Sequence, residues 1–160
     1  MSSFAAELII LHTNDVHSRV ESHIPAGAEE EQGGRVRAAT VIEDIRAMYG
    51  KDKVLLLDAG DAMHGMNIDN LFGGYPTIEI MTAMGYDAFT PGNHEFNYGQ
   101  EVLAQRIADA KFPTLMANVS KNGSLFAGYS ALIKEVNGIK VGIIGLVPEE
   151  TPIVTHPKNV

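Results

Sequence analysis

The sequence predicts an α/β domain: a mixed, mostly parallel sheet with flanking helices. Three observations predict it. Apolar runs of strand length alternate with amphipathic runs of helix length from residue 7 to residue 118, a βαβα rhythm that implies parallel strands covered by helices on both faces. Three of the strand runs end in polar clusters, as sheet strands leading into a site do. Asn137-Gly138 separates two late apolar runs, a strong hairpin signal. An antiparallel pair therefore follows the parallel part, in the manner of a sandwich of sheets.

The elements follow in order. ELIILHT (7–13) is a short apolar run with the length of a buried strand. ESHIPAGAEEEQGG (21–34) is polar, acidic and glycine-containing, and reads as an exposed loop whose Glu29-Glu30-Glu31 run is a solvated surface. RVRAATVIEDIRAMYG (35–50) places Val36, Ala39, Ile42, Ile45 and Tyr49 three or four apart, a helical face, with Gly50 as the stop. KVLLLDAGD (53–61) is a buried strand running into a polar turn. PTIEIMTAMG (76–85) has proline near its start and glycine at its end, the asymmetry of a helix. YDAFT (86–90) reads as a strand, GQEVLAQRIADA (99–110) as a helix and FPTLMAN (112–118) as a strand. YSALIKEV (129–136) and IKVGIIGLV (139–147) form the hairpin.

Composition narrows the function. The chain has 160 residues, one domain's worth, with 45% apolar and 20% charged residues, enough to bury a core. There are no cysteines, which removes disulfides, thiolate metal sites and cysteine nucleophiles. The formal charge is −8, which argues against binding a nucleic-acid polymer through its phosphates. An anionic substrate would need positive charge from elsewhere, and a metal ion is the obvious source. No run approaches the roughly 18 apolar residues of a membrane span. The start, MSSFAAELIILHT, lacks the basic and long apolar regions of a signal peptide.

The polar clusters carry the chemistry. The first strand runs into His12-Thr13-Asn14-Asp15-Val16-His17, the second into Asp58-Ala59-Gly60-Asp61, and the third into Pro91-Gly92-Asn93-His94-Glu95. In parallel α/β sheets ligands sit beyond the carboxyl ends of the strands, so the three clusters should meet. Asp15 and His17, two apart, point the same way in extended chain and could hold one cation. Asp61 adds a carboxylate with two oxygens for bridging, and Asn93 a neutral oxygen. Such oxygen and nitrogen donors suit Mn²⁺, Zn²⁺, Mg²⁺ or Fe. Two cations about 3.5–4 Å apart are a known device for phosphate-ester hydrolysis. Each piece alone is ordinary: Asp-x-His recurs by chance, Gly-Asp is a common turn, and Gly-Asn-His-Glu could be a left-handed turn. Their joint placement at three strand ends is specific.

LHTNDVHSR (11–19), LLLDAGD (55–61) and GNHEFNYG (92–99) resemble the signature blocks of the calcineurin-like metallophosphoesterases. More narrowly, they resemble the branch of 5′-nucleotidases and 2′,3′-cyclic-nucleotide 2′-phosphodiesterases. GGRVRAAT (33–40), KFPTLMANV (111–119) and VGIIGLVPEETPIVTHPKNV (141–160) extend the likeness along essentially the whole chain. The resemblance implies a partial four-layer αββα sandwich and a two-metal site. Asp15 and His17 would ligate the first metal, Asp61 would bridge both, and Asn93 would ligate the second. His94 would be the catalytic histidine, stabilising charge on the phosphoryl group. Glu95 and Phe96 would shape the site behind the ligands. Nucleotidases of the branch often carry Asp where this chain has Asn97, while cyclic phosphodiesterase relatives resemble it with Asn. The HTNDVHSR block and the THPKNV ending lean toward 5′-nucleotidases.

By the same resemblance, further His ligands and a substrate-binding domain would lie past Val160. Residues 1–160 would then be the first part of a catalytic domain, weak in metal binding and turnover alone. A non-catalytic domain keeping the fold is the other expectation. The remaining histidines do not fill the gap: His12 is expected to be structural, His23 to lie in the acidic loop, His64 to sit behind the site at best, and His156 to be exposed. The expected substrate is a nucleotide, the expected location exported (periplasmic, cell-surface or secreted), and exposed apolar sheet surface would favour association between copies.

Overall fold

A computed structural model describes residues 6–160. The expectation that the chain begins without a leader therefore falls, for residues 1–5, outside the described residues. β1 (Ile9–Thr13), β2 (Val54–Asp58) and β3 (Ala88–Phe89) form a parallel sheet in the order β1-β2-β3. Ile10 pairs with Leu55, Leu11 with Leu56, Thr13 with Asp58, and Asp58 with Phe89. The central strand is apolar at successive positions, and Val54, Leu55 and Leu56 are all buried, as a strand covered on both faces requires.

The helices are α1 (Arg35–Tyr49), α2 (Asn67–Phe72), α3 (Tyr75–Met84), α4 (Gln100–Asp109) and α5 (Thr151–Val154). One buried cluster takes Leu56 and Phe89 from the sheet, Ile42 from α1, Ile78, Met81 and Met84 from α3, and Leu103 from α4, with Leu11 packed against it. These three helices thus share the sheet face that carries Leu11 and Leu56. The opposite face at β1 is open: Ile10 is 51% exposed and His12 is exposed. This corrects the expectation that helices cover both faces.

α1 begins and ends where expected, with Gly50 (φ 100°) as its cap, but its buried face is rotated. Val36 and Tyr49 are exposed, and Arg35 and Arg46 are buried instead. Arg46 Nη1 and Nη2 donate to the Met84 and Gly85 carbonyls at 2.7 and 2.9 Å. Its guanidinium thereby satisfies carbonyls that the end of α3 leaves without helical partners. Arg35 Nη2 reaches the Ala62 carbonyl at 3.4 Å.

The last parts combine agreement and surprise. β6 (Ala131–Val136) and β7 (Ile139–Ile144) pair antiparallel around Asn137 (φ 48°) and Gly138 (φ 76°), the two left-handed residues of a type I′ turn. The hairpin is a separate two-stranded layer. Asn137 Nδ2 bonds the Glu7 carbonyl ahead of β1 at 3.0 Å, and Lys134 pairs with Asp87 ahead of β3 at 2.6 Å. Residues 112–118, expected to be a strand, contribute single bridges at Thr114 and Leu115. β4 (Ser120–Lys121) and β5 (Ser124–Leu125) form an unexpected small hairpin around Asn122 and Gly123. The loop at 21–34 is closed by backbone bonds between His23 and Gln32, at 3.0 and 2.7 Å, with Glu29 to Glu31 exposed.

Candidate functional site

The backbone past β1 and β2 stays zipped after the strands end. Asp15 N–H donates to Gly60 O, His17 N–H to Asp61 O and Ser18 N–H to Ala62 O, each at 2.9 Å. Thr90 N–H beyond β3 donates to Asp58 O at 3.0 Å. The three polar clusters therefore meet at the carboxyl edge of the sheet, where ligands of such sheets bind. The loops approach through glycines. A Cβ on Gly60 would lie 2.9 Å from the Thr90 carbonyl oxygen, and one on Gly92 would lie 2.9 Å from Asp61 N while colliding with the Asp61 carboxylate. Gly92 lies outside the left-handed region, so close approach, and not a left-handed turn, requires glycine at this position.

Seven non-glycine residues among those described take positive φ: Asp15, His17, Ser18, Asp61, His64, Asn122 and Asn137. The two asparagines are hairpin tips. The other five surround the polar clusters, so backbone strain of about 1–3 kcal/mol each is concentrated here.

The side chains converge accordingly. His17, Asp61 and His94 each offer one ligand atom, all within 4.8 Å of one another. Asp15 Oδ1 lies 3.9 Å from His17 Nε2, with its carboxylate also bonded by Asn14 Nδ2. Asp61 Oδ1 accepts the His94 backbone N–H at 3.0 Å. Asn93 stands at the head of the short helical turn His94–Tyr98 and does not spend its amide on capping it. The donors are carboxylate oxygen, imidazole nitrogen and amide oxygen, half-buried or exposed. This set fits a hard or borderline divalent cation.

His94 is held from several sides. Asn97 Nδ2 meets its Nδ1 at 2.7 Å, and Asn97 Oδ1 faces Thr155 Oγ1 at 3.3 Å. If the Asn97 amide donates to Nδ1, the ring proton of a neutral His94 sits on Nε2. The His17 ring meets the His94 ring edge-on at 4.8 Å, and the His64 ring stacks on it at 5.2 Å and 15°. The C-terminal segment locks this turn: Thr155 Oγ1 donates to Asn93 O at 2.9 Å and Asn159 Nδ2 to Asn97 O at 2.9 Å.

Glu95, fully buried, ties the second and third loops together. Its carboxylate accepts the N–H groups of Asp61 (2.9 Å), Met63 (2.9 Å) and Gly92 (2.6 Å). Burial pushes its carboxyl up to about 7, against the pull of those donors and with a smaller push from Asp61. Burial also raises the pKa of Asp58, against hydrogen bonds from Thr13 Oγ1 (2.5 Å) and Gly60 N–H (3.0 Å). That of His64 is lowered by burial first and then by His94 and His17. Behind the first loop, buried Asp69 accepts from Ser18 Oγ (2.6 Å), Thr77 Oγ1 (2.6 Å) and Thr77 N–H (3.2 Å).

All five residues singled out from the sequence, Asp15, His17, Asp61, Asn93 and His94, therefore lie at this edge. Sequence reasoning missed the Thr155 and Asn159 clasp, because the THPKNV ending reads only as a family likeness. His64, expected to sit near the site and behind its ligands at best, stacks on the His94 ring. Buried Asp69 gave no signal, because an Asp in NIDNLF looks like a solvated helix residue.

A family model described as calcineurin-like phosphoesterase matches residues 8–145. The snake venom 5′-nucleotidase of Gloydius brevicauda is 41% identical over 161 residues, covering 94% of this chain and 27% of that protein. The human 5′-nucleotidase is 40% identical, with 96% of this chain and 28% of that protein covered. Among solved structures, the NAD nucleotidase of Haemophilus influenzae superposes with a TM-score of 0.77 at 34% identity, over 90% of this chain and 27% of that one. This chain thus spans under a third of the length of these relatives. With the family model covering most of its residues, the chain belongs to the calcineurin-like phosphoesterase family.

Proposed function

We propose that the protein hydrolyses phosphate esters of nucleotides, as a 5′-nucleotidase does, at a site for two divalent cations. The observation that carries this reading is the convergence of His17, Asp61 and His94 within 4.8 Å, beside Asp15 and Asn93, at the carboxyl edge of a parallel sheet. Asp15 and His17 would hold one cation, Asn93 the other, and Asp61 would bridge them. The chemistry such cations supply is charge neutralisation and polarisation of the phosphoryl oxygens. Their identity among Zn²⁺, Mn²⁺, Mg²⁺ and Fe is left to the donor set, which accepts each.

His94 is the catalytic residue of the proposal. Its Nδ1 is tied to Asn97, and in this reading the amide donates there, so that Nε2 carries the proton given to a phosphoryl oxygen. A hydrogen bond given there strengthens as negative charge builds in the transition state. Glu95 holds the Asp61 and Gly92 backbones in register, so the bridging carboxylate and the histidine keep a fixed separation. Asn97 favours the second reading, a 2′,3′-cyclic-nucleotide 2′-phosphodiesterase or 3′-nucleotidase, because a neutral amide supports His94 where a carboxylate would make it more basic.

Residues 1–160 are proposed to be the first part of a catalytic domain, with further ligands and nucleoside contacts supplied by later segments. The venom origin of one relative supports an exported protein. Assay of the intact protein with Mn²⁺, Zn²⁺ or Mg²⁺ against AMP and 2′,3′-cyclic AMP tests the function. Metal-dependent release of phosphate from AMP is expected, abolished in Asp61→Asn. Faster opening of the cyclic substrate would instead select the second reading. No turnover with any metal would leave a binding domain that keeps the fold. The 160-residue chain alone is expected to bind metal weakly and turn over little, and robust AMP hydrolysis by it would overturn the fragment reading.

A further inference from the structure

His64 is the one strained residue of the site without a role. Its backbone sits at φ 67°, a region where a non-glycine residue is uncommon and costly. Of the other four strained residues around the clusters, Asp15, His17 and Asp61 carry the proposed ligands, and Ser18 donates to buried Asp69. The strained conformation at 64 turns an imidazole onto the open face of His94, with ring centroids 5.2 Å apart and planes within 15°. The Tyr98 ring lies against the same His64 ring at 5.6 Å, and its hydroxyl is anchored to Asn70 Oδ1 at 2.9 Å.

We propose that His64 is a positioning residue for His94, its ring stacked on the His94 imidazole so that the plane cannot rock about the Asn97 hydrogen bond. A single bond at Nδ1 fixes one point of the ring and leaves rotation about it. The His17 ring blocks one direction edge-on, and His64 closes a face. Together they hold Nε2 on one line, and orientation of this kind carries a large share of a rate. The role rests on the phosphoester reading of the site.

Two variants separate the ring from the backbone. His64→Asn removes the ring with a residue that tolerates left-handed φ. His64→Phe restores a flat ring without nitrogen. In the intact metal-free protein, nitrogen–proton correlation spectra should show His94 ring signals shifted and broadened in His64→Asn and narrow again in His64→Phe. With Mn²⁺ and AMP, His64→Asn should lower kcat about tenfold and leave KM within about twofold, with most of the loss recovered in His64→Phe. Unchanged His94 signals with unchanged kcat in His64→Asn would overturn the proposal. So would a rise in KM at constant kcat, which marks a substrate contact instead. If the parent protein turns over no phosphoester, the hydrolase reading fails, and the ring spectra still decide the positioning role. Should Phe not be accommodated at φ 67°, the His64→Asn spectra decide alone.

Discussion

Asp58 shows how one buried carboxyl couples the sheet to the site. It is the last residue of β2, 3% exposed, and accepts from Thr13 Oγ1, which is itself bonded to Tyr86 Oη at 2.7 Å. Burial outweighs these donors and raises its pKa above 3.8. The sign follows from linkage: a carboxyl that ionises less readily when folded contributes stability that is full below the unfolded pKa. That contribution is lost as pH rises through the folded pKa. An amide at this position would be neutral at every pH, its oxygen still accepting from Gly60 and its nitrogen facing Thr13. Asp58→Asn is therefore expected to gain stability relative to the parent as pH goes from about 3.5 to 7. Urea unfolding at the two pH values in EDTA checks it, and a variant that loses stability relative to the parent as pH rises would show that the hydrogen bonds outweigh desolvation.

At the scale of elements, close approach of loops matters more than the loops' own conformations. Gly92 is the sharpest case, since a single Cβ would strike the Asp61 carboxylate in a loop that Glu95 already pins to the Asp61 backbone. Gly92→Ala does not strain φ, but its Cβ would also press on the Asp61 backbone nitrogen at 2.9 Å, so some loss of stability is expected. The Asp61 carboxylate should move, and displaced support of this kind costs about 10–100-fold in metal affinity. Mn²⁺ titration followed by electron paramagnetic resonance would show affinity falling, and a thermal melt alongside it would report the cost of the backbone contact. Equal affinity in both proteins would mean that Asp61 relaxes without cost. The same scale explains the α1 discrepancy. Hydrophobic spacing placed Val36 and Tyr49 inside, but the carbonyls ending α3 needed donors, and Arg46 supplies them. Periodicity counts apolar atoms and is blind to such polar demand.

For the whole molecule, what was legible in the sequence is what local chemistry dictates. Asn137-Gly138 announced its hairpin because apolar runs flank it; Asn122-Gly123 makes the same turn between exposed Ser, Lys and Leu residues and passed unnoticed. Asp15, His17, Asp61, Asn93 and His94 were found because strand ends in a parallel sheet must meet. Thr155 and Asn159 were not, because nothing local says that a segment 62 residues later returns to Asn93 and Asn97. β6 and β7 alternate in burial, and their outer face carries the exposed apolar surface that the apolar runs led us to expect. Ile133 is 77% exposed, Ile144 68% and Leu146 65%. Ile133 pairs with Gly142 and Ala131 with Ile144, so the two isoleucines are diagonal neighbours on one face. A flat apolar face on a two-stranded layer is a surface for association. Copies of this chain are expected to associate as concentration rises. Ile133→Lys with Ile144→Lys should return them to monomers, because apposed copies would have to bury lysines without partners. Sedimentation velocity across a concentration series checks this. A parent chain that stays monomeric throughout would overturn the predicted association.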